Sequence, residues 1–376
     1  MMILKGVVSL TIGLLMALPS GAMCQDQLDS LERELREIAK NGEAVGVQVA
    51  VRGSTGLLYS GALGMISDGG DKAVDEETLF LIASCSKPIA STCALTLVQD
   101  DTVSIELEDS ISRWIPEYGG AELREGGVAE RPPTVEEVMC HRAGIYSQKS
   151  RMTQQQSRWI RDFRLTLEES VNGIVASPLV GPPGAQYAYS GAGYCVLGRV
   201  AELASGESFE SLLQERICQP LGMSRTTYFP AGRFPDDEIA TGTPRKTSPH
   251  LLGERHRLPL IGGSLYTTAE DMTLFGVAIC DAWGNSDDNP LGLSQQMIRE
   301  AGRPRSEQSQ YGLGWKVVKR NGKVIRLSHS GALNSHRAWF VVDLEKGISV
   351  AGCWTLTDPG RQAPVTEALQ RFLIGN

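Results

Sequence analysis

Leu28, Leu31, Leu35 and Ile38 recur at helical spacing near the start of the chain, and Val45-Gly-Val-Gln-Val-Ala-Val51 then alternates as a strand does. Gly53 to Gly56 interrupts the alternation before a second strand-like run, so the order is helix, then hairpin. The apolar run Thr78-Leu-Phe-Leu-Ile-Ala83 leads into a helical pattern. From Ile89 to Leu221 the periodicity is mostly helical, with Leu95, Leu97 and Val98 in one element and Leu197, Val200, Ala201 and Leu203 in another. Residues 230–258 are polar and rich in Gly, Pro, Asp and Arg, which predicts a long surface loop near the functional site and not a linker between domains. Strands return in Tyr311-Gly-Leu-Gly-Trp-Lys-Val-Val318, Lys323-Val-Ile-Arg-Leu327, Ala338-Trp-Phe-Val-Val342 and Ile348-Ser-Val-Ala-Gly-Cys353, at hairpin-like spacing. Val365 to Ile374 closes the pattern as an apolar helix, and there is no internal repeat or low-complexity segment.

Composition narrows the function classes. With 376 residues, 41% hydrophobic and 21% charged, the chain can bury a large core, and one unit of two lobes is expected. The 36 basic against 44 acidic residues give a net charge of −8, and no stretch clusters Lys or Arg with interleaved aromatics, so nucleic acid is excluded as a partner.

The N-terminus carries Lys5, then the apolar run Val7 to Leu18, then Pro19-Ser-Gly-Ala22, the layout of a secretory signal over 1–22. Export to the periplasm or the extracellular space follows, with the functional domain over 27–376. The apolar run is shorter than the roughly 20 residues that a spanning helix needs, so no integral span is expected after cleavage. An uncleaved signal serving as an anchor is the alternative. Cys24 invites a lipoprotein reading, which Met23 and Gly21 oppose. The cysteines at 85, 93, 140, 195, 218, 280 and 353 lie mostly in apolar segments and form no Cys-X-X-Cys pair, so no metal site is expected. They read as small buried hydrophobes, although an oxidising compartment allows one or two disulfides.

Candidate chemistry sits where the run at 78–83 meets a helix. In Ser84-Cys-Ser-Lys87 a hydroxyl and an amine are three residues apart and share a helix face, next to the N–H groups of a helix N-terminus. Pro88 falls in the first turn, where it is tolerated. A nucleophile beside its base needs a second proton carrier and a place for developing negative charge. Pro183-Gly-Ala-Gln-Tyr-Ala-Tyr189-Ser-Gly191 puts the Tyr189 phenol on a Gly-rich turn at the mouth of a helix, and His329-Ser330-Gly331 opens between two strands. Taken singly, Tyr189 also fits core packing and His329 a structural histidine.

Read in order, Ser84-X-X-Lys87, Tyr189-Ser-Gly191 and His329-Ser-Gly331 resemble the three motifs of the serine β-lactamase and DD-peptidase superfamily, in its class C-like branch, which includes esterases and D-aminopeptidases. Val138-Met-Cys-His-Arg-Ala-Gly-Ile145, Gln219-Pro-Leu-Gly-Met223 and Gly262-Gly-Ser-Leu-Tyr-Thr-Thr-Ala-Glu-Asp271 add context, and the similarity covers roughly residues 30–375. The resemblance implies an α+β, β-lactamase/transpeptidase-like fold. Its antiparallel sheet comes from both ends of the chain (27–85 and 260–376), and its middle lobe is α-rich (86–259). It also implies roles: Ser84 as acylated nucleophile, Lys87 as its base, Tyr189 as proton shuttle, and the backbone N–H groups of Ser84 and Ala332 as oxyanion hole. His329, Ser330, Gly331 and Gly191 line the substrate site, with no cofactor.

Two positions depart from the pattern. Gly191 stands where an Asn amide usually contacts substrate, and His329 stands where β-lactamases usually have Lys, so a fixed positive charge becomes one only partly present near neutral pH. Arg337, eight residues after His329, restores carboxylate recognition if it turns inward, but an exposed charge is expected. His141 and His336 are read as structural, His141 at a turn. The expected activity is hydrolysis of a small-molecule ester, peptide or lactam, esterase first, D-peptidase second and β-lactamase third. The alternative is a binding or scaffold protein on the same fold that turns nothing over. The oligomeric state has no signature in the sequence.

Overall fold

Helix α1 (Gln25–Lys40) buries Leu28, Leu31, Leu35 and Ile38, the four positions spaced for one face. The computed structural model describes residues 25–374 apart from 149–151, 244–247, 285–288, 307–308, 359 and 361. The expected signal at 1–22 and Cys24 lie outside the described residues. After α1 come the hairpin β1 (Gly46–Gly53) and β2 (Gly56–Gly64), the short strand β3 (Phe80–Leu81) and helix α2 (Ser86–Val98). Helix α3 (Gly191–Ser205), strand β4 (Tyr266–Thr267) and helix α4 (Ala269–Gly284) follow. The chain ends with β5 (Lys316–Arg320), β6 (Lys323–Leu333), β7 (His336–Asp343), β8 (Ile348–Thr355) and helix α5 (Val365–Ile374).

One antiparallel sheet runs β2-β1-β8-β7-β6-β5, so the N-terminal hairpin is sealed onto the C-terminal strands through β1 and β8, from Val47 opposite Trp354 to Gly53 opposite Ile348. The two-residue period sends Val47, Val49 and Val51 to one face, where they join Leu31, Leu35 and Leu369 from α1 and α5. Ala50 points to the other face and joins the larger core that holds α2, α3 and α4. On that face Gln48 is buried and fully used: its Nε2 donates to Asp75 O at 2.8 Å, and its Oε1 accepts from Ala269 N at 2.5 Å. A buried amide with both ends satisfied ties the sheet to the segment that leads into β3 and to the start of α4.

Helix α2 is buried on every side, from Ser86 to Leu97, as expected of a helix without a polar face. Among the described residues no helix is long and apolar enough to cross a membrane. All seven described cysteines are free thiols, and six are buried. The disulfides that an oxidising compartment would allow are therefore absent among them.

Three expectations are corrected. Residues 311–318 are not one strand: Gly314, at φ +85°, turns the chain so that Tyr311 bridges back to Lys316, and regular pairing starts only there. The His329-Ser330-Gly331 stretch does not open between two strands but lies inside β6, which continues to Leu333. The 230–258 segment is not a surface loop throughout. It forms 3₁₀ turns at Asp236–Glu238 and Pro249–Arg255, bridges Leu79 through Ile239, and buries His250 and His256.

Candidate active site

Ser84 sits on a 3₁₀ turn, Ala83–Cys85, between β3 and α2. Ala83 has φ +48°, a left-handed value unfavourable for a residue with a Cβ, so the surroundings must hold it. They do so with hydrogen bonds: Ile82 N to Leu265 O at 3.0 Å, Cys85 N to Ile82 O at 3.1 Å, and Ser86 Oγ to Ala83 O at 2.6 Å. Ala83 and Cys85 are buried while Ser84 stays partly exposed, so the turn presents one hydroxyl. Gly331 on β6 lets the strand pass close, because a Cβ there would overlap the Ile82 carbonyl oxygen.

Lys87, in the first turn of α2, is 1% exposed. Its Nζ lies 3.3 Å from Ser84 Oγ and donates to Gly262 O at 2.6 Å. It stands 4.7 Å from the centre of the Tyr189 ring and 5.2 Å from that of Tyr194. Among the described residues it forms no ion pair with a carboxylate. Burial without a counter-charge disfavours the ammonium form and lowers the Lys87 pKa to about 7.

Tyr189 lies just before α3, whose N-cap Ser190 accepts from Gly193 N at 2.9 Å. Its ring is 4.3 Å from that of His141 and 6.2 Å from that of His329. His329 Nδ1 is 2.8 Å from Ser330 O, and a carbonyl only accepts, so Nδ1 carries the proton. His329 Nε2 therefore accepts from the Tyr311 hydroxyl at 3.0 Å. Burial, with Lys87 nearby, lowers the His329 pKa to about 3. The side chain is neutral at working pH, which corrects the expected partial charge.

The structure thus brings Ser84, Lys87, Tyr189 and His329 together, with Gly331 against the Ser84 turn. Strand β5 pairs only as far as Ser328, so residues 329–333 have β7 on one side and the Ser84 turn on the other. Ser330 and Ala332 are exposed along this stretch. Gly191 begins α3, and a Cβ there would overlap Gln148 Nε2, while Gln148 Oε1 accepts from Gly191 N at 2.8 Å. The carboxamide beside motif two therefore belongs to Gln148. Arg337 is not an exposed charge: it is 8% exposed, lies opposite Ala332, and donates through Nη1 to Asn334 O and His336 O, both at 2.8 Å.

Residues that the sequence reading missed surround this group. Tyr311 was read as part of a strand and Gln148 was not singled out. Tyr194, which no motif marks, donates to Met139 O at 2.9 Å and meets Ser91 Oγ at 2.9 Å beneath Lys87. Aromatic residues in apolar runs carry no local mark that separates a site wall from a core. The Gly at 191 was the one usable signal, since an absent side chain leaves room for another.

A family model described as Beta-lactamase matches residues 28–373. The Esterase EstB of Burkholderia gladioli is 30% identical over 187 residues, 48% of this chain and 46% of that protein. A D-aminopeptidase of Brucella anthropi is 24% identical over 337 residues, 85% of this chain and 58% of that protein. The chain therefore spans less than two thirds of either relative. A solved structure described as EstCE1, a hydrolase with promiscuous acyltransferase activity, superposes with a TM-score of 0.76 at 21% identity, covering 92% of this chain and 99% of that one. At that identity the likeness is one of fold.

Proposed function

The chain belongs to the Beta-lactamase family, and on that premise we propose that it is a serine hydrolase that forms an acyl-enzyme on Ser84. One observation carries the reading: a buried lysine whose pKa is lowered to about 7 stands 3.3 Å from a partly exposed serine hydroxyl. Neutral Lys87 takes the proton as Ser84 Oγ attacks the substrate carbonyl carbon. Negative charge collects on the carbonyl oxygen, and the backbone N–H groups of Ser84 and Ala332 receive it. When the tetrahedral species collapses, the bond to the leaving group breaks, and Tyr189 hands a proton to that group and is recharged from Lys87. Water then repeats the sequence on the acyl-enzyme, releasing the acid and restoring the Ser84 hydroxyl.

An uncharged ester is the favoured substrate. His329 is neutral with both ring nitrogens engaged, so motif three offers no cation to a substrate carboxylate. Arg337 spends Nη1 on backbone carbonyls. This weighs against D-peptides and β-lactams, both of which present a carboxylate, and the similarity to Esterase EstB weighs the same way. The apolar run and small residues at 7–22 support export of the mature chain. Hydrolysis of p-nitrophenyl acetate, a peptide ending in D-alanyl-D-alanine with a free carboxylate, and nitrocefin by wild type and Ser84→Ala tests the reading. The ester should be turned over fastest and only by wild type; activity that survives in Ser84→Ala overturns the assignment.

A further inference from the structure

We propose that His141 is a positioning residue that fixes Tyr189 in place from both sides, an inference that rests on Tyr189 carrying the proton. Ala188 N donates to the His141 carbonyl at 2.7 Å, and Ser190 N donates to His141 Nδ1 at 3.1 Å. The Tyr187–Ala188 and Tyr189–Ser190 peptide units, one before and one after the Tyr189 side chain, are thus tied to one residue, one through its backbone and the other through its side chain. The imidazole then lies against the phenol, with ring centres 4.3 Å apart and planes inclined by 46°. The same ring is 4.9 Å from Tyr311, the partner of His329, so it stands between motif two and the support of motif three.

The state of the ring follows from its bonds. Because Nδ1 accepts a backbone N–H, the proton sits on Nε2. Burial, reinforced by Lys87 and His329, pushes the His141 pKa well below its ordinary value, so the ring is neutral and does not compete with Lys87 as base. Nε2 is buried and has no hydrogen-bond partner among the described residues.

Packing alone does not explain a histidine here. His141 has φ +62°, a left-handed value that Gly adopts freely and that, among other residues, Asn, Asp and His adopt most often. A site that needed only the turn would be served by Gly, and a site that needed only bulk would not place it in a left-handed conformation. Histidine combines a δ-position acceptor for Ser190 N with a flat face for Tyr189. Asn shares the acceptor and tolerates the backbone but lacks the ring; Gly shares only the backbone.

The experiment compares His141→Asn, His141→Gly, Tyr189→Phe and the double variant His141→Gly/Tyr189→Phe in p-nitrophenyl acetate hydrolysis, with thermal unfolding as a check on folding. His141→Gly should lower kcat by about 100-fold while KM stays within about threefold, the effect of a displaced catalytic group. His141→Asn should remain within about fivefold of wild type, because the peptide after Tyr189 is still held. In the Tyr189→Phe background His141→Gly should cost nothing further, since the group it positions is gone. Equal losses for Asn and Gly, an unchanged kcat for Gly, or multiplying losses in the double variant overturn the inference. If the glycine variant does not fold, His141→Gln, whose amide sits one carbon farther out, replaces it in the comparison. Tyr189→Phe itself separates the two levels: full activity there removes the proton-carrier reading, whereas an inactive Tyr189→Phe beside a fully active His141→Gly removes this inference alone.

Discussion

Gln148 occupies the space that a side chain at Gly191 would take, and it is held there by accepting the Gly191 N–H at 2.8 Å. The two positions therefore act as one unit beside motif two. Gly191→Ala should leave the fold intact, with a stability change within about 1 kcal/mol, because the displaced atom is the end of an exposed, flexible side chain. It should raise KM for the ester in wild type and leave it unchanged in a Gln148→Ala background. A double-mutant cycle should give a coupling of about 0.5 kcal/mol or more, and additive effects would show that the positions are independent.

In the proposed mechanism Lys87 must be neutral to accept the Ser84 proton, and its pKa is lowered to about 7 by burial. Below that value the amine is protonated and activity is lost; above it the base is free. The kcat/KM profile for a neutral ester should therefore rise with pH through about 7. Lys87→Arg, which stays charged at all working pH, should lose about 100- to 10,000-fold in kcat with the protein still folded. An acidic limb near the ordinary lysine value would contradict the desolvated amine.

Tyr311→Phe removes the hydroxyl that His329 Nε2 accepts from at 3.0 Å. A buried acceptor is then left without a partner, at a cost of about 1–3 kcal/mol. Urea unfolding should show the loss as a lower midpoint at an unchanged slope. No change in midpoint would mean that His329 finds another donor.

All five histidines of the chain are buried with lowered pKa values: His250 and His256 to about 4, His329 and His336 to about 3, and His141 well below the usual range. In the unfolded chain they protonate near pH 6.5, so the unfolded state binds more protons as the pH falls. Stability should be full above that value and decline below it, by up to about 1.4 kcal/mol per pH unit for each histidine. Urea midpoints measured at pH 7.5, 6.5 and 5.5 check this; equal midpoints at 6.5 and 5.5 would contradict the neutral, buried rings.

Much of the fold was legible because its signals are periodic. The α1 stripe, the alternation of β1, the start of β6 and the last two strands were read close to their final places. Tyr311–Trp315 was misread because Gly314 breaks a run whose composition is that of a strand, and His329 was placed outside a strand because β6 outlasts its partner β5. The Ser84, Lys87 and Tyr189 positions were legible as motifs. What surrounds them was not: Gln148, Tyr194 and Tyr311 meet this group through long-range packing, and burial rather than residue type sets the charge of Lys87 and His329.

The central claim is that burial beside Ser84 turns Lys87 into a working base. Intact mass before and after a fluorophosphonate probe, with Ser84→Ala and Lys87→Ala as controls, tests it most directly. The account predicts a single adduct on wild type that both variants lose; an adduct that persists in Ser84→Ala, or wild type that takes none, would contradict it.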